Sequence, residues 1–241
     1  MRPAGEPIVG WWTEGKRRRI RDSRVLGTRH LVESLAGASS PPWVLVSGSA
    51  VGFYGDRGDE RLDEESGPGQ GFLAEVTQAW EAEARAASSL GLRAVLLRTG
   101  LVLGPGGGLL EAVLPPFRLG LGAWFGAGRQ WMSWVHLEDE VGLILHAIDR
   151  EDVRGALNAT APEPATNHEF TRTLGDVLHR PALLGVPALA LRLALGEAAE
   201  SLLGSQRVHP ARALATGYHF AYLELRPALE SIVGRPILVE R

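Results

Sequence analysis

Cysteine is absent, and Lys16 is the single lysine among 25 basic side chains. The first absence excludes disulfides, thiol nucleophiles and cysteine-ligated metals, and it fits a reducing, cytoplasmic setting. The second excludes a phenol activated by an amine one helical turn away. The tyrosines are Tyr54, Tyr218 and Tyr222, and none has a lysine four residues on. No Gly-x-x-Gly-x-x-Gly or Gly-x-Gly-x-x-Gly opens the chain, and no phosphate loop of the Gly-Lys-Ser/Thr type occurs. No run of about 18 apolar residues is present, so no membrane span is expected. The start, Met1 to Glu6, has no apolar signal core. A net charge of −3 gives no nucleic-acid signal. The seven histidines show neither His-Glu-x-x-His nor a pair at i, i+4, and no metal site is expected.

What is present suits one large domain, or one domain with a small appendage: 241 residues, 45% hydrophobic and 22% charged. Thr13 caps a helix predicted to run toward Ala36, with Gly37 as its stop. Pro41-Pro42 breaks the chain before a buried strand, Trp43 to Val46. A polar, glycine-rich loop leads to Phe72, Val76 and Trp80, whose i, i+4, i+8 spacing predicts a helix ending near Leu90-Gly91. Arg93 to Arg98 is a second buried strand, giving a strand–helix–strand parallel unit. Beyond the glycines at 104 and 106–108, an apolar segment interrupted by Pro115-Pro116 runs to Leu121. Short strands are predicted at 131–136 and 156–160, with a helix from about 138 to 148 between them. Thr166 to Glu169 has capping-box spacing for a further helix to Leu178. The last 55 or so residues read as helices over 187–203, 210–215 and 227–233.

Ligands of open α/β sheets bind outside the carboxyl ends of the strands. Two such ends carry polar or glycine content, Ser47–Tyr54 and Arg98–Gly108. Hydroxyls at the first can bond a carbonyl or alcohol, and glycines at the second let backbone approach a flat ring. Against this, Ser47 and Ser49 read equally as turn residues with local hydrogen bonds. Tyr54 reads as an aromatic packed beneath its loop, and Glu75 as a solvated helix carboxylate. His136 reads as a structural residue at a helix start. Trp124, Trp131 and Trp134 read either as cleft walls or as core. The run Lys16-Arg17-Arg18-Arg19 reads as a solvated helix face. Gly120 to Gly126 follows no clear strand and opens no clear helix, so it is no dinucleotide fingerprint.

Several strings together resemble the extended short-chain dehydrogenases/reductases. Ser47-Gly48-Ser49-Ala50 with Phe53-Tyr54-Gly55-Asp56 resembles their serine motif. Arg98-Thr99-Gly100-Leu101-Val102-Leu103-Gly104-Pro105 resembles the segment passing the nicotinamide. Trp134 to Asp139 and Gly155 to Thr160 resemble two further motifs. Ala4-Gly5-Glu6-Pro7-Ile8, Trp80-Glu81, Asn158 to Pro164, Gln206-Arg207-Val208 and Ala215 to Tyr218 narrow the match. They point to the atypical epimerase family with a C-terminal domain of unknown function.

The resemblance implies an α/β fold: an N-terminally truncated, Rossmann-type, doubly wound parallel sheet with a small helical C-terminal domain. It implies a partial NAD(P)-binding domain over 1–160, with substrate-domain insertions from about 103 to 133, and a mostly helical substrate or lid domain over 161–241. It makes Ser49 and Tyr54 the candidate catalytic hydroxyls. Ala4, Gly5, Glu6, Ser47, Arg98, Thr99, Gly100, Leu101 and Val102 become candidate contacts to NADP or NAD. Family members reach Ala-Gly-Glu-Pro only after two strand–helix units. A missing phosphate turn, weak cofactor binding and possible homo-oligomerisation across an unpaired strand edge are therefore expected. The implied activity is that of an NAD(P)-dependent oxidoreductase or sugar-nucleotide-epimerase-like protein acting on a small molecule. A non-catalytic ligand-binding protein and an inactive fragment stand as alternatives.

Overall fold

The computed structural model describes residues 5–234. The chain begins with α1 (Glu14–Ala36), β1 (Val44–Ala50), β2 (Arg61–Leu62), α2 (Phe72–Arg85), β3 (Arg93–Thr99) and β4 (Leu101–Leu103). It continues with α3 (Gly108–Arg118), β5 (Ala123–Phe125), β6 (Trp131–Met132), β7 (Trp134–His136), α4 (Leu137–Asp149) and β8 (Gly155–Ala159). Next come β9 (Ala165–Thr166), α5 (Asn167–Val177), β10 (Leu184–Val186), α6 (Ala188–Leu195) and α7 (Glu200–Leu203). The chain then forms β11 (Arg207–Val208), α8 (Ala211–Ala215) and α9 (Leu225–Val233).

A three-stranded parallel sheet, ordered β1–β3–β8, carries the architecture. Strand β3 is buried from Ala94 to Arg98, as its apolar run requires of a central parallel strand. The register sets Ser49 beside Arg98, and Arg98 beside Asn158. Side chains alternate along a strand, so Arg98 meets α2 on one face while Thr99 meets α4 on the other. The other strands form two- and three-residue ladders, among them β4 with β7 and β5 with β10.

Two apolar clusters fill the interior. One joins Val95, Leu97 and Leu157 of the sheet to Leu143 and Ala147 of α4. The other packs Leu103, Phe117 and Trp134 against Phe170, Leu174 and Leu229. This second core crosses residue 160, so α5 and α9 are fastened to β4 and β7 rather than standing apart.

Capping decides several boundaries. Thr13 accepts from the Lys16 N–H, and Thr166 with Glu169 forms a reciprocal capping box. Helix α2 ends at Arg85, earlier than its spacing predicts, and a 3₁₀ turn over Ala86–Leu90 completes the run. The predicted helix over 187–203 is broken at Gly196, whose φ of 58° ends α6. Helix α3 forms despite Pro115 and Pro116. Both prolines lie exposed in its last turns with Glu111 and Ala112, so solvent can reach the two carbonyls that lose a donor.

Candidate functional site

A cavity of about 600 Å³ opens at the carboxyl ends of β1 and β3. Ser49, Ala50, Val51 and Gly52 line it from the first strand end, and Thr99, Gly100 and Leu101 from the second. Leu73, Val76, Thr77 and Trp80 of α2 form a side wall. Trp131, Met132 and Phe170 close the far side. Gly100 is required by close approach: a Cβ there would sit 2.3 Å from the Ser133 carbonyl oxygen.

Beneath this floor lies a buried polar row that follows from the strand register. The Ser49 hydroxyl donates to Glu81 Oε1 over 2.7 Å. Arg98 clamps the same carboxylate through Nε and Nη2, at 2.8 and 3.0 Å. Arg85 reaches its Oε2 from the solvent side over 2.7 Å. Arg98 Nη1 then donates to the Tyr54 hydroxyl over 2.9 Å, and Tyr54 sits 2.8 Å from Asn158 Oδ1. Glu81 is 0% exposed and Arg98 2%, and the Arg98 guanidinium lies 3.5 Å from the Phe53 ring centroid. Bidentate pairing and cation–π stacking together compensate the arginine for its lost water. Burial raises the Tyr54 phenol further above its ordinary value, against the lowering pull of Arg98.

A second carboxylate stands behind the other strand end. Glu140 accepts from the Thr99 hydroxyl over 2.8 Å, while its Oε2 has no hydrogen-bond partner among the described residues. Desolvation raises its pKa to about 7, against the lowering effect of that one bond. Glu140 does not line the cavity; Thr99 stands between them.

A model described as the NAD dependent epimerase/dehydratase family matches residues 3–159. The chain belongs to that family. A second model, described as a domain of unknown function (DUF1731), matches residues 186–232. Among curated relatives, the epimerase family protein MT2273 of Mycobacterium tuberculosis is 42% identical over 226 residues, covering 93% of this chain and 74% of the relative. The crystal structure of human epimerase family protein SDR39U1 (isoform 2) with NADPH superposes with a TM-score of 0.91 at 36% identity. That match covers 97% of this chain and 80% of the human one. A nucleoside-diphosphate sugar epimerase from Corynebacterium glutamicum superposes with a TM-score of 0.76 at 35% identity, covering 94% of this chain and 45% of its own.

Within this epimerase-family fold the sequence-derived site residues separate. Ser49, Thr99, Gly100 and Leu101 come together around the cavity. Tyr54 does not: it is 0% exposed and its hydroxyl is engaged by Arg98, Asn158 and the Asp63 carbonyl. It lies beneath the cavity floor and not on its wall. Arg98 is likewise turned to Glu81 and away from the cavity, because its strand position faces α2. Ser47 is buried with its hydroxyl on the Gly48 carbonyl, and Val102 packs into the sheet–α4 core. Gly5 and Glu6 lie in the segment ahead of α1 and rest against it, with Glu6 paired to Lys16 at 2.9 Å. Ala4 lies outside the described residues. The basic run is held in pairs, Lys16 and Arg19 to Glu6 and Arg17 to Glu197. His136 caps α4 by accepting from the Glu138 N–H, in a structural position. Trp131 lines the cavity while Trp134 is fully buried core. Sequence reasoning had missed Glu81 as the partner of Ser49; only the Trp80-Glu81 pair marked that position.

Among the described residues, no helix is long and apolar enough to cross a membrane, and no cluster of His, Asp or Glu could hold a metal ion.

Proposed function

We propose that this chain is an NAD(P)-dependent oxidoreductase or epimerase-like protein whose cavity takes the nicotinamide end of the cofactor, with NADP(H) preferred. The observation that carries the reading is the cavity at the two strand ends with Ser49 on its floor. Its apolar wall and the closely packed Gly100 suit a flat nicotinamide ring. The human relative's structure with NADPH supports the phosphate preference. Residues Thr99, Gly100 and Leu101 would hold the ring end. The glycine-rich loop that ends at Gly71 reaches the cavity ahead of α2 and offers backbone N–H groups there.

When bound, the cofactor supplies or accepts hydride; the protein's part is placement and proton handling. The Ser49 hydrogen is directed at Glu81, a carboxylate that Arg98 and Arg85 hold in place. Its lone pairs are therefore what it offers to the cavity. A substrate alcohol would donate to Ser49 Oγ and be oriented by it. Helix α2 adds no phenol and no amine, only Thr77, whose hydroxyl is spent on the Leu73 and Ala74 carbonyls. That last fact favours a second reading, ligand binding without turnover.

The test is NADPH titration of the 241-residue chain, read by tryptophan quenching and by the blue shift of nicotinamide emission. Saturation is expected only above about 100 μM, since the cavity wall sets one cation, Arg24, against two carboxylates. Leu101→Asp should abolish the shift while leaving the circular dichroism unchanged. No saturation at about 10 mM would remove the cofactor assignment for this chain.

A further inference from the structure

We infer that the substrate of this site is an uncharged, largely apolar alcohol or ketone, and not a sugar nucleotide. The inference rests on the functional reading above and names its substrate class.

The cavity wall is the argument. Aromatic rings stand around it: Trp12, Phe72, Trp80, Phe125, Trp131 and Phe170. Aliphatic groups fill the spaces between, among them Leu109, Val113 and Met132. The ionisable side chains on the wall are one cation, Arg24, and two carboxylates, Asp56 and Glu200.

The two carboxylates have polar partners, and Arg24 spends one nitrogen, Nη1, on backbone carbonyls. The Arg24 guanidinium donates to the carbonyls of Glu6 and Ile20, and lies 5.7 Å from the Trp80 ring centroid. Asp56 accepts the N–H groups of Gly58 and Ser205. Glu200 pairs with Arg192 at the surface. A nucleoside diphosphate brings two phosphate charges, and burying them without enough cations to pair both is strongly unfavourable. Among the described residues the wall sets a single cation, Arg24, against two carboxylates, so its charge balance opposes the phosphates; the same balance keeps NADP(H), held by its ring end, weakly bound. The uncapped start of α2, at Gly71, offers N–H groups sufficient for one polar end. Ser49 completes the polar contacts on the floor. A cavity of about 600 Å³ with an apolar wall and few converging polar groups suits a drug-sized hydrophobic molecule.

Nile red, an uncharged fluorescent probe, tests this on the 241-residue chain. Saturable fluorescence enhancement is expected. Val113→Arg should weaken it about tenfold or more by setting a charge in the apolar wall. UDP-glucose at about 1 mM should not displace the probe. If Val113→Arg fails to fold by circular dichroism, Met132→Lys serves instead. Displacement by UDP-glucose, or probe binding indifferent to a folded wall variant, would overturn the inference. A parallel NADPH titration separates the two readings. Probe binding with no NADPH binding sinks the cofactor assignment alone; NADPH binding with UDP-glucose bound in the cavity sinks the substrate class alone.

Discussion

At the scale of single residues, two glutamates decide how the strand ends behave. Glu81 holds Ser49 and neutralises a buried arginine at once. Removing it leaves the Arg98 charge with only neutral partners, the Tyr54 hydroxyl and the Phe53 ring. Glu81→Ala should therefore destabilise the fold by about 3–5 kcal/mol, measured as a lower urea midpoint. A loss near 1 kcal/mol or less would mean that Arg98 finds water or another anion when Glu81 goes. The Arg85 arm of the pair is solvent-exposed and contributes little of this. Glu140 acts in the opposite sense. Its carboxyl is protonated in the fold up to about pH 7, whereas the unfolded chain ionises it near 4.5. Between those values unfolding releases a proton, so this group's contribution to stability falls as pH rises and stays lost above 7. The interval is equivalent to about 3 kcal/mol at most. Glu140→Gln keeps an acceptor for the Thr99 hydroxyl and removes the titration. The variant should gain stability over the parent chain at pH 8 and show little gain at pH 4. Equal gains at both pH values would assign the effect to packing instead of charge.

At the scale of elements, what the sequence announced and what it hid follow from contact range. Caps act within one turn, so Thr13, Gly37 and the Thr166–Glu169 box could be read directly, and the structure has all of them. The strands at 44–50 and 93–99 announced themselves by the apolar runs Val44–Val46 and Ala94–Leu97; the second is buried as expected, while Trp43 is exposed and 44–46 are half-buried because β1 lies at the edge of the sheet. The ladders of β2 with β11 and β5 with β10 carried no such signal. Each is two or three residues long and pairs segments far apart in the chain. Helix α3 was hidden by Pro115-Pro116, because local propensity argues against a helix that tertiary packing of Leu110 and Phe117 then holds. The site was legible as two strand ends and no further. Ser49 and the 99–101 segment reached the cavity as their strand-end positions promised. Arg98 did not, since which face a strand residue takes depends on register with partners the sequence does not name, and Tyr54 did not because the 3₁₀ turn over Val51–Tyr54 carries it under its loop. Motif position placed Arg98 at a cofactor; the alternation of β3 turned it to α2.

At the scale of the whole molecule, the sheet has an unbalanced edge. Strands β1 and β8 each pair only with β3 among the described residues, and β1, with seven residues against five, is the longer edge. Seven residues of backbone therefore present one row of unshared N–H and C=O groups. Gly48 lies exposed in the middle of that strand and offers no side chain to screen it. Large apolar groups are exposed at the start of β1 and ahead of α1: Trp43 at 56%, Trp11 at 61% and Val9 at 82%. An open, unscreened edge recruits another strand, and the compatible strand present at highest concentration is β1 of a second copy. The 241-residue chain should accordingly self-associate through β1, with the weight-average mass in sedimentation equilibrium rising with concentration over the micromolar range. Association through this edge should also slow amide exchange at residues 44–50, because pairing covers donors that the monomer leaves to water. A single monomeric species at the highest attainable concentration would count against the edge as an interface. Association without slower exchange at β1 would move the interface to another surface.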